Sequence, residues 1–84
     1  IANLVYAFCV NPSEWERLRA DRSLKRKAVE EGLRWKGTAQ VVIRTSTKDV
    51  DVSGVTIPAG CKVIAFLGAA NRDPRQWDDP DRFD

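Results

Sequence analysis

No histidine occurs among the 84 residues. Its absence removes the commonest general base and metal ligand at neutral pH, so histidine-centred triads and histidine-ligated metal sites are excluded within this stretch. Methionine is missing as well, and the first residue is Ile1. There are only two cysteines, Cys9 and Cys61, far apart and in no metal-ligand spacing. They read as separate thiols rather than as a disulfide or a zinc site, which favours a reducing, cytoplasmic setting. No apolar run approaches the roughly 20 residues that cross a bilayer. The longest, Ile1 to Val10, has no basic segment ahead of it to mark a signal peptide. A dominant charge of one sign is also lacking. Fourteen basic against 12 acidic residues give a net +2, too balanced to point to nucleic acid. Internal repeats and low-complexity linkers are absent.

What is present suits a globular protein: 43% hydrophobic and 31% charged residues. A chain this short buries only about 60–65% of its unfolded surface and builds one modest core at most. Residues 1–10 are apolar nearly all round, as in a helix enclosed by protein. They look like the second half of a longer helix, and the chain stops in the loop Arg82-Phe83-Asp84. Residues 1–84 therefore read as one internal fragment without separate domains.

Asn11-Pro12-Ser13-Glu14 reads as a helix start, with Asn11 as cap, Pro12 at the first position and Glu14 completing a capping box. This helix runs to about Ala20, with Trp15 and Leu18 inward and Arg17 and Arg19 outward. Asp21-Arg22-Ser23 breaks it, and Ser23 is placed to cap a third helix from Leu24 to about Trp35. After Lys36-Gly37 the period changes to two. Val41 to Ile43 form a strand ending at Arg44. Val50 and Val52 pair across a Ser53-Gly54 turn with Val55 and Ile57, and after Pro58-Ala59-Gly60 a further strand spans Lys62 to Phe66. Leu67 to Asn71 make one helical turn. The remainder, to Asp84, is irregular coil anchored by Trp77 and Phe83. The fold class is α+β: three helices, small antiparallel hairpins, then coil.

The third helix carries the most informative residues. At 100° per residue, Glu31 falls on the apolar stripe of Leu24, Ala28 and Trp35, where a carboxylate is costly unless paired. Arg34, three residues on, is within reach, and full satisfaction calls for a second cation from elsewhere. The plainer reading is a solvated surface pair worth well under ~1 kcal/mol. Gly32 inside the helix costs about 1 kcal/mol relative to alanine and suggests that something packs closely there. Lys25, Arg26 and Lys27 crowd the N-terminal turn, where the helix dipole prefers acids. They form either a solvated face or a docking patch for an acidic partner.

Glu31-Gly32-Leu33-Arg34, Gly54-Val55-Thr56-Ile57-Pro58-Ala59-Gly60, Ala70-Asn71-Arg72-Asp73-Pro74 and Pro80-Asp81-Arg82-Phe83 together resemble the cytochrome P450 family, the haem-thiolate monooxygenases, in its bacterial style. The resemblance covers the whole chain. It implies a partial P450 fold: the end of helix I (residues 1–10), helix J (12–20), helix K (24–35), small antiparallel hairpins, and the K′ turn with the start of the meander coil (67–84). It further implies that Glu31, Arg34 and Arg82 form a buried structural ion network, Arg82 being the second cation. One acid between two planar guanidinium forks can be fully hydrogen-bonded. Arg44 is implied to bind a haem propionate, and Thr38 to Ile43 to line the substrate pocket, with Gln40, Val41 and Val42 as contacts; alternation leaves open which of these point inward. Many members have proline where Thr38 stands. The cofactor implied is haem b with its iron. The partners implied are a ferredoxin or flavin reductase electron donor, for which Lys25, Arg26 and Lys27 are the candidate contact, and a small apolar organic substrate. The family's cysteine ligand is expected beyond Asp84, since neither Cys9 nor Cys61 has its setting. No metal ligand and no catalytic residue is therefore expected within these residues, and the stretch alone is expected to be inactive.

The competing reading is a self-contained small α+β binding module whose basic helix meets a protein or nucleic acid. The uncapped apolar start, and the lack of basic residues interleaved with aromatics along a face, argue against it.

Overall fold

Proline at the first helical turn, alternating valines and a Ser-Gly turn lead to the elements expected. The computed structural model describes all 84 residues. Helix α1 spans Ala2–Val10, α2 Pro12–Ala20 and α3 Lys25–Lys36, with a 3-10 turn at Arg22–Leu24 before α3. Strands follow at Val41–Thr45 (β1), Val50–Val52 (β2), Val55–Ile57 (β3) and Lys62–Phe66 (β4), and a last turn of helix, α4, at Leu67–Ala70. Strand β1 pairs antiparallel with β4, placing Val41 opposite Phe66, Ile43 opposite Ile64 and Arg44 opposite Val63. The β2–β3 hairpin is inserted between them as a separate two-stranded ribbon. At its tip Ser53 and Gly54 have φ of 51° and 81°, the positive pair that a two-residue type I′ turn requires.

Two helix starts differ from expectation. The Asn11 side chain makes no cap for α2; its Nδ2 donates backward to the Ala7 carbonyl at 2.9 Å, closing the end of α1. Glu14 forms no capping box and pairs with Arg17 at 3.3 Å. The third helix is begun by Asp21 rather than Ser23: Asp21 Oδ1 accepts from the Ser23 amide at 2.9 Å, starting a 3-10 turn that leads into α3. In each case a short polar side chain had two backbone partners within reach, and chain direction selected one.

Helix α1 lies across α3. Its Ala7 is fully buried and its Tyr6 stacks on Trp35 of α3 at 6.5 Å between centroids, whereas Val5 and Val10 stay exposed. The crossing is closest at Gly32, where an added Cβ would stand 2.5 Å from Leu4 Cδ1. The intrahelical glycine is thus explained by the approach of α1. Aromatic rings fill the angle between the helices and the C-terminal coil. Phe83 is 4% exposed, with Phe8 at 5.3 Å and Trp35 at 5.5 Å between centroids. Trp15 meets Phe8 edge-on at 5.5 Å, facing inward as expected, but stays 45% exposed.

The chain covers little of its own apolar surface. Its radius of gyration is 16.9 Å, against about 12 Å for a globule of this length. Accessible surface is 6692 Å², well above the roughly 5000 Å² of a compact chain this size. Val41, Val50, Val52 and Val55 of the ribbons, and Val5 and Val10 of α1, stay exposed.

Candidate functional site

The site is built where α3 meets the coil that follows α4. Glu31 and Arg34 sit one turn apart, so their side chains leave the helix together. Arg34 Nε donates to Glu31 Oε2 and Nη2 to Oε1, both at 2.7 Å, in a parallel fork. The remaining three N–H groups reach across to the coil. Nη1 donates to the carbonyls of Asn71 (2.9 Å) and Pro80 (2.8 Å), and Nη2 to that of Arg82 (2.8 Å). A guanidinium has five donors, and here all five are used. Glu31 Oε1 accepts a further bond from the Asp84 amide at 3.0 Å. The Arg34 side chain is 8% exposed and that of Glu31 16%, so this is a largely desolvated pair and not a solvated surface contact. The Glu31 hydrogen bond, with its charge, raises the Arg34 pKa above its ordinary value against the opposing effect of burial.

The expected three-membered network is corrected in one member. No ion pair joins the Arg82 guanidinium to Glu31; Arg82 takes part through its backbone carbonyl. In place of a second cation, Glu31 accepts from an uncharged backbone amide, that of Asp84. The physical reason is geometric. Residues 80–84 run close enough along α3 for main-chain groups, the Arg82 carbonyl and the Asp84 amide, to reach the pair directly.

A second ring of bonds lies beside the first, formed by residues whose role the sequence did not reveal. Arg72 Nη2 donates to the Trp35 carbonyl at 2.7 Å and Nη1 to the Asp81 carboxylate, while Trp35 Nε1 donates to the Asp81 carbonyl at 2.6 Å. The signals were Arg72 and Asp81, which stand in two of the motifs shared with the family, though nothing in them marks the pairing. Carbonyl acceptors leave no side-chain signature.

Arg44 lies on β1, exposed. Its Nη1 donates only to the carbonyl of Ile43, at 2.9 Å, and no carboxylate pairs with it. By strand alternation it shares a face with Val42, whose cross-strand partner is Ala65. Val42 is half-buried, and Val41 points to the opposite, exposed face. Gln40 is already engaged: its Nε2 donates to the Gly37 carbonyl, and its own carbonyl accepts from the Gly68 amide at 3.1 Å. Its side chain holds the α3–β1 connection instead of projecting free. Lys25, Arg26 and Lys27 are exposed on the first turn of α3, none in an ion pair. A half-open cleft between α1, α2, α3 and the chain end holds about 80 Å³ and is lined by Phe8, Leu18, Leu24, Phe83 and charged side chains including Glu14 and Lys27. That is room for a few waters; a wider, open groove of about 660 Å³ runs along α3 past Arg26, Glu30, Glu31, Arg34 and Trp77. Cys9 and Cys61 are both free thiols. No helix is long and apolar enough to cross a membrane.

The sequence and the overall fold around this clamp can be set beside known proteins. The family model for cytochrome P450 matches residues 14–84. The chain is 55% identical over its full length to cytochrome P450 CYP199A2 of Rhodopseudomonas palustris, covering 20% of that protein. It is 42% identical to the biotin biosynthesis cytochrome P450 of Bacillus subtilis, covering 21%. Among solved structures, P450BioI in complex with acyl carrier protein ligated to hexadec-9Z-enoic acid superposes with a TM-score of 0.88 at 42% identity, over all of this chain and 22% of that one. CYP109E1 of Bacillus megaterium superposes at 0.87 with 31% identity, over all of this chain and 22% of that one. The chain belongs to the cytochrome P450 family, and it spans about a fifth of the length of the relatives it matches. This membership displaces the reading as a self-contained binding module.

Members of the family bind haem. The residues present fit the edge of that group: Arg44 offers a cation without a carboxylate, next to half-buried apolar Val42 and Val63. Neither cysteine is a candidate axial ligand, Cys9 being on the exposed side of α1 and Cys61 in a β-turn held by Ser46.

Proposed function

We propose that these residues belong to a haem-dependent monooxygenase, in which they form the scaffold on the proximal side of the haem and one wall of its pocket. The observation that carries this is the saturated clamp of Arg34, five donors on five acceptors, in a chain matched end to end by P450 relatives. Haem bound through a cysteine thiolate would supply oxygen activation and insertion of one oxygen atom into an organic substrate.

The chain's own residues hold and orient. Glu31 and Arg34 tie α3 to residues 71–84, so that the coil leaves in one direction toward the expected cysteine loop. Arg44 is the candidate partner of a haem propionate, since a planar guanidinium can take a carboxylate with two parallel bonds. Val42, on the Arg44 face, is the candidate substrate contact of the three expected. Gln40 and Val41 support it from behind, the former by its bond to Gly37 and the latter from the opposite face. An apolar contact of this kind suits a small apolar substrate. Lys25, Arg26 and Lys27 form the candidate docking patch for an acidic ferredoxin or flavin reductase, where charge raises the rate of encounter. The bacterial relatives and the free thiols support a cytoplasmic location.

Translation of the gene past Asp84 is expected to give a Phe-x-x-Gly loop with a cysteine within a few dozen residues. The expressed full-length protein, reduced under carbon monoxide, is expected to show the thiolate-type carbonyl absorption band. A chain ending without that cysteine, or a haem protein without that band, would refute the proposal.

A further inference from the structure

We infer that Arg72 is a positioning residue, a second clasp that together with Arg34 closes the neck of a loop and thereby sets the path of the coil toward the proximal side of the haem. The inference rests on the monooxygenase reading above for what the coil leads to. The clasp itself is carried by geometry.

Residues 73–79 form a loop whose two ends lie together at the C-terminal end of α3. One end is Asn71 and Arg72, the other Pro80 to Arg82. Arg34 holds both ends by the carbonyls of Asn71, Pro80 and Arg82. Arg72 and Trp35 close a second ring over the same neck: Arg72 to the Trp35 carbonyl, Trp35 Nε1 to the Asp81 carbonyl, and the Asp81 carboxylate back to Arg72. The guanidinium also lies 5.9 Å from the centre of the Trp35 ring. The two clasps differ in kind. Arg34 is buried and spends every donor. Arg72 is partly exposed and binds one of the last carbonyls of α3, where the helix dipole favours a cation.

Within the second ring the bonds are unequal. The Asp81 carboxylate is 83% exposed, and exposed ion pairs contribute little. The bond from Arg72 to the Trp35 carbonyl, with the guanidinium lying beside the Trp35 ring, therefore carries the clasp. Lysine keeps the charge but has no plane and no fork. The clasp thus predicts an order of effects: Arg72→Ala largest, Arg72→Lys intermediate, Asp81→Asn smallest.

The test uses the full-length haem protein as expressed. The rate at which its thiolate-type carbonyl band converts to the non-thiolate form is measured in mild urea, together with the haem reduction potential. Arg72→Ala is expected to speed conversion about tenfold and to shift the potential, the loss of one charge-assisted hydrogen bond being worth about that factor. Asp81→Asn is expected to change the rate by less than about threefold, and the double variant to match Arg72→Ala, as members of one network do. Conversion at the wild-type rate in Arg72→Ala overturns the inference. So does a fall in overall stability that leaves the potential unmoved, since that would be support without positioning. Should Arg72→Ala fail to fold, Arg72→Lys against Asp81→Asn decides, equal effects counting against the clasp. A wild-type protein with no thiolate-type band refutes the monooxygenase reading, and the role given to Arg72 falls with it, whereas a normal wild-type band with inert variants refutes Arg72 alone.

Discussion

Exchange of Glu31 for glutamine removes one negative charge and turns two acceptor oxygens into one acceptor and one donor group. Glu31 accepts from Arg34 Nε, Arg34 Nη2 and the Asp84 amide. If the glutamine oxygen takes the Oε1 place, it keeps Arg34 Nη2 and the Asp84 amide, and its NH₂ then faces Arg34 Nε. If the amide flips, it loses two of the three. Either way a guanidinium 8% exposed is left without its counter-charge. Breaking a buried pair by removing one partner costs about 3–5 kcal/mol. The three carbonyls that Arg34 retains argue for the lower end, about 3 kcal/mol. The loss is local to the contact between α3 and the coil, so amide hydrogen exchange in the full-length protein is the fitting assay. At 1.36 kcal/mol per decade, the amides of Arg82 and Asp84 are expected to exchange about 150-fold faster in Glu31→Gln. Amides of the β1–β4 ladder, which share no partner with the pair, serve as the control. Haem incorporation is expected to fall in parallel. Acceleration below about threefold at Arg82 and Asp84, with haem content untouched, would refute the reasoning that the pair holds the coil.

The Gly32 approach gives a steric prediction. Leu4 Cδ1 stands 2.5 Å from where a Cβ would be, so Gly32→Val is expected to lower stability by about 1–3 kcal/mol through overpacking, read from the urea midpoint of the full-length protein. A gain in stability would mean that α1 does not rest on α3. The Arg75 side chain beside Asp73, helped by the Arg75 amide, holds the Asp73 carboxyl down to about 2. Because folding depresses this pKa, its contribution is fully present above about pH 4 and fades as the pH falls toward 2. Carboxyl NMR titration is expected to show Arg75→Ala raising the Asp73 midpoint part of the way toward the ordinary carboxylate range, since the amide at position 75 is kept; an unchanged midpoint would contradict the pairing. Charge reversal at Lys25, Arg26 and Lys27 together is expected to slow reduction by an acidic electron donor severalfold at low salt, an effect that fades as salt screens it. Unaltered stopped-flow kinetics at low salt would remove the docking role. The isolated 84 residues, with exposed valines on both ribbons and on α1, are expected to self-associate and to give no thiolate-type carbonyl band with added haem. A monomer with a sharp thermal transition would count against this.

Most element boundaries were legible because each rests on local chemistry. Proline at the start of α2, period-two valines in β2 and β3, and Ser53-Gly54 at the turn act within a few residues, and the folded chain keeps them. Cap assignments at Asn11 and Ser23 were less legible, since each side chain could bond forward or backward with little local preference. The inward direction of Trp15 was legible but its 45% exposure was not, because helical spacing gives a face but not what covers it.

By itself the sequence determined the α+β order, the placing of Glu31 on an apolar stripe with Arg34 in reach, the tight packing at Gly32, and the motifs that resemble the P450 family. Those are properties of residue type and short-range spacing. Only the tertiary structure decided what satisfies the pair. The partners of Arg34 are carbonyls of Asn71, Pro80 and Arg82, and the further donor to Glu31 is the Asp84 amide. Main-chain groups are the same at every residue, so no sequence pattern marks which of them will be used. Their place depends on how a coil some forty residues away turns back along the helix. The expected guanidinium of Arg82 gave way to its carbonyl for that reason, and Arg72 emerged as a clasp only once Trp35 and Asp81 were seen side by side.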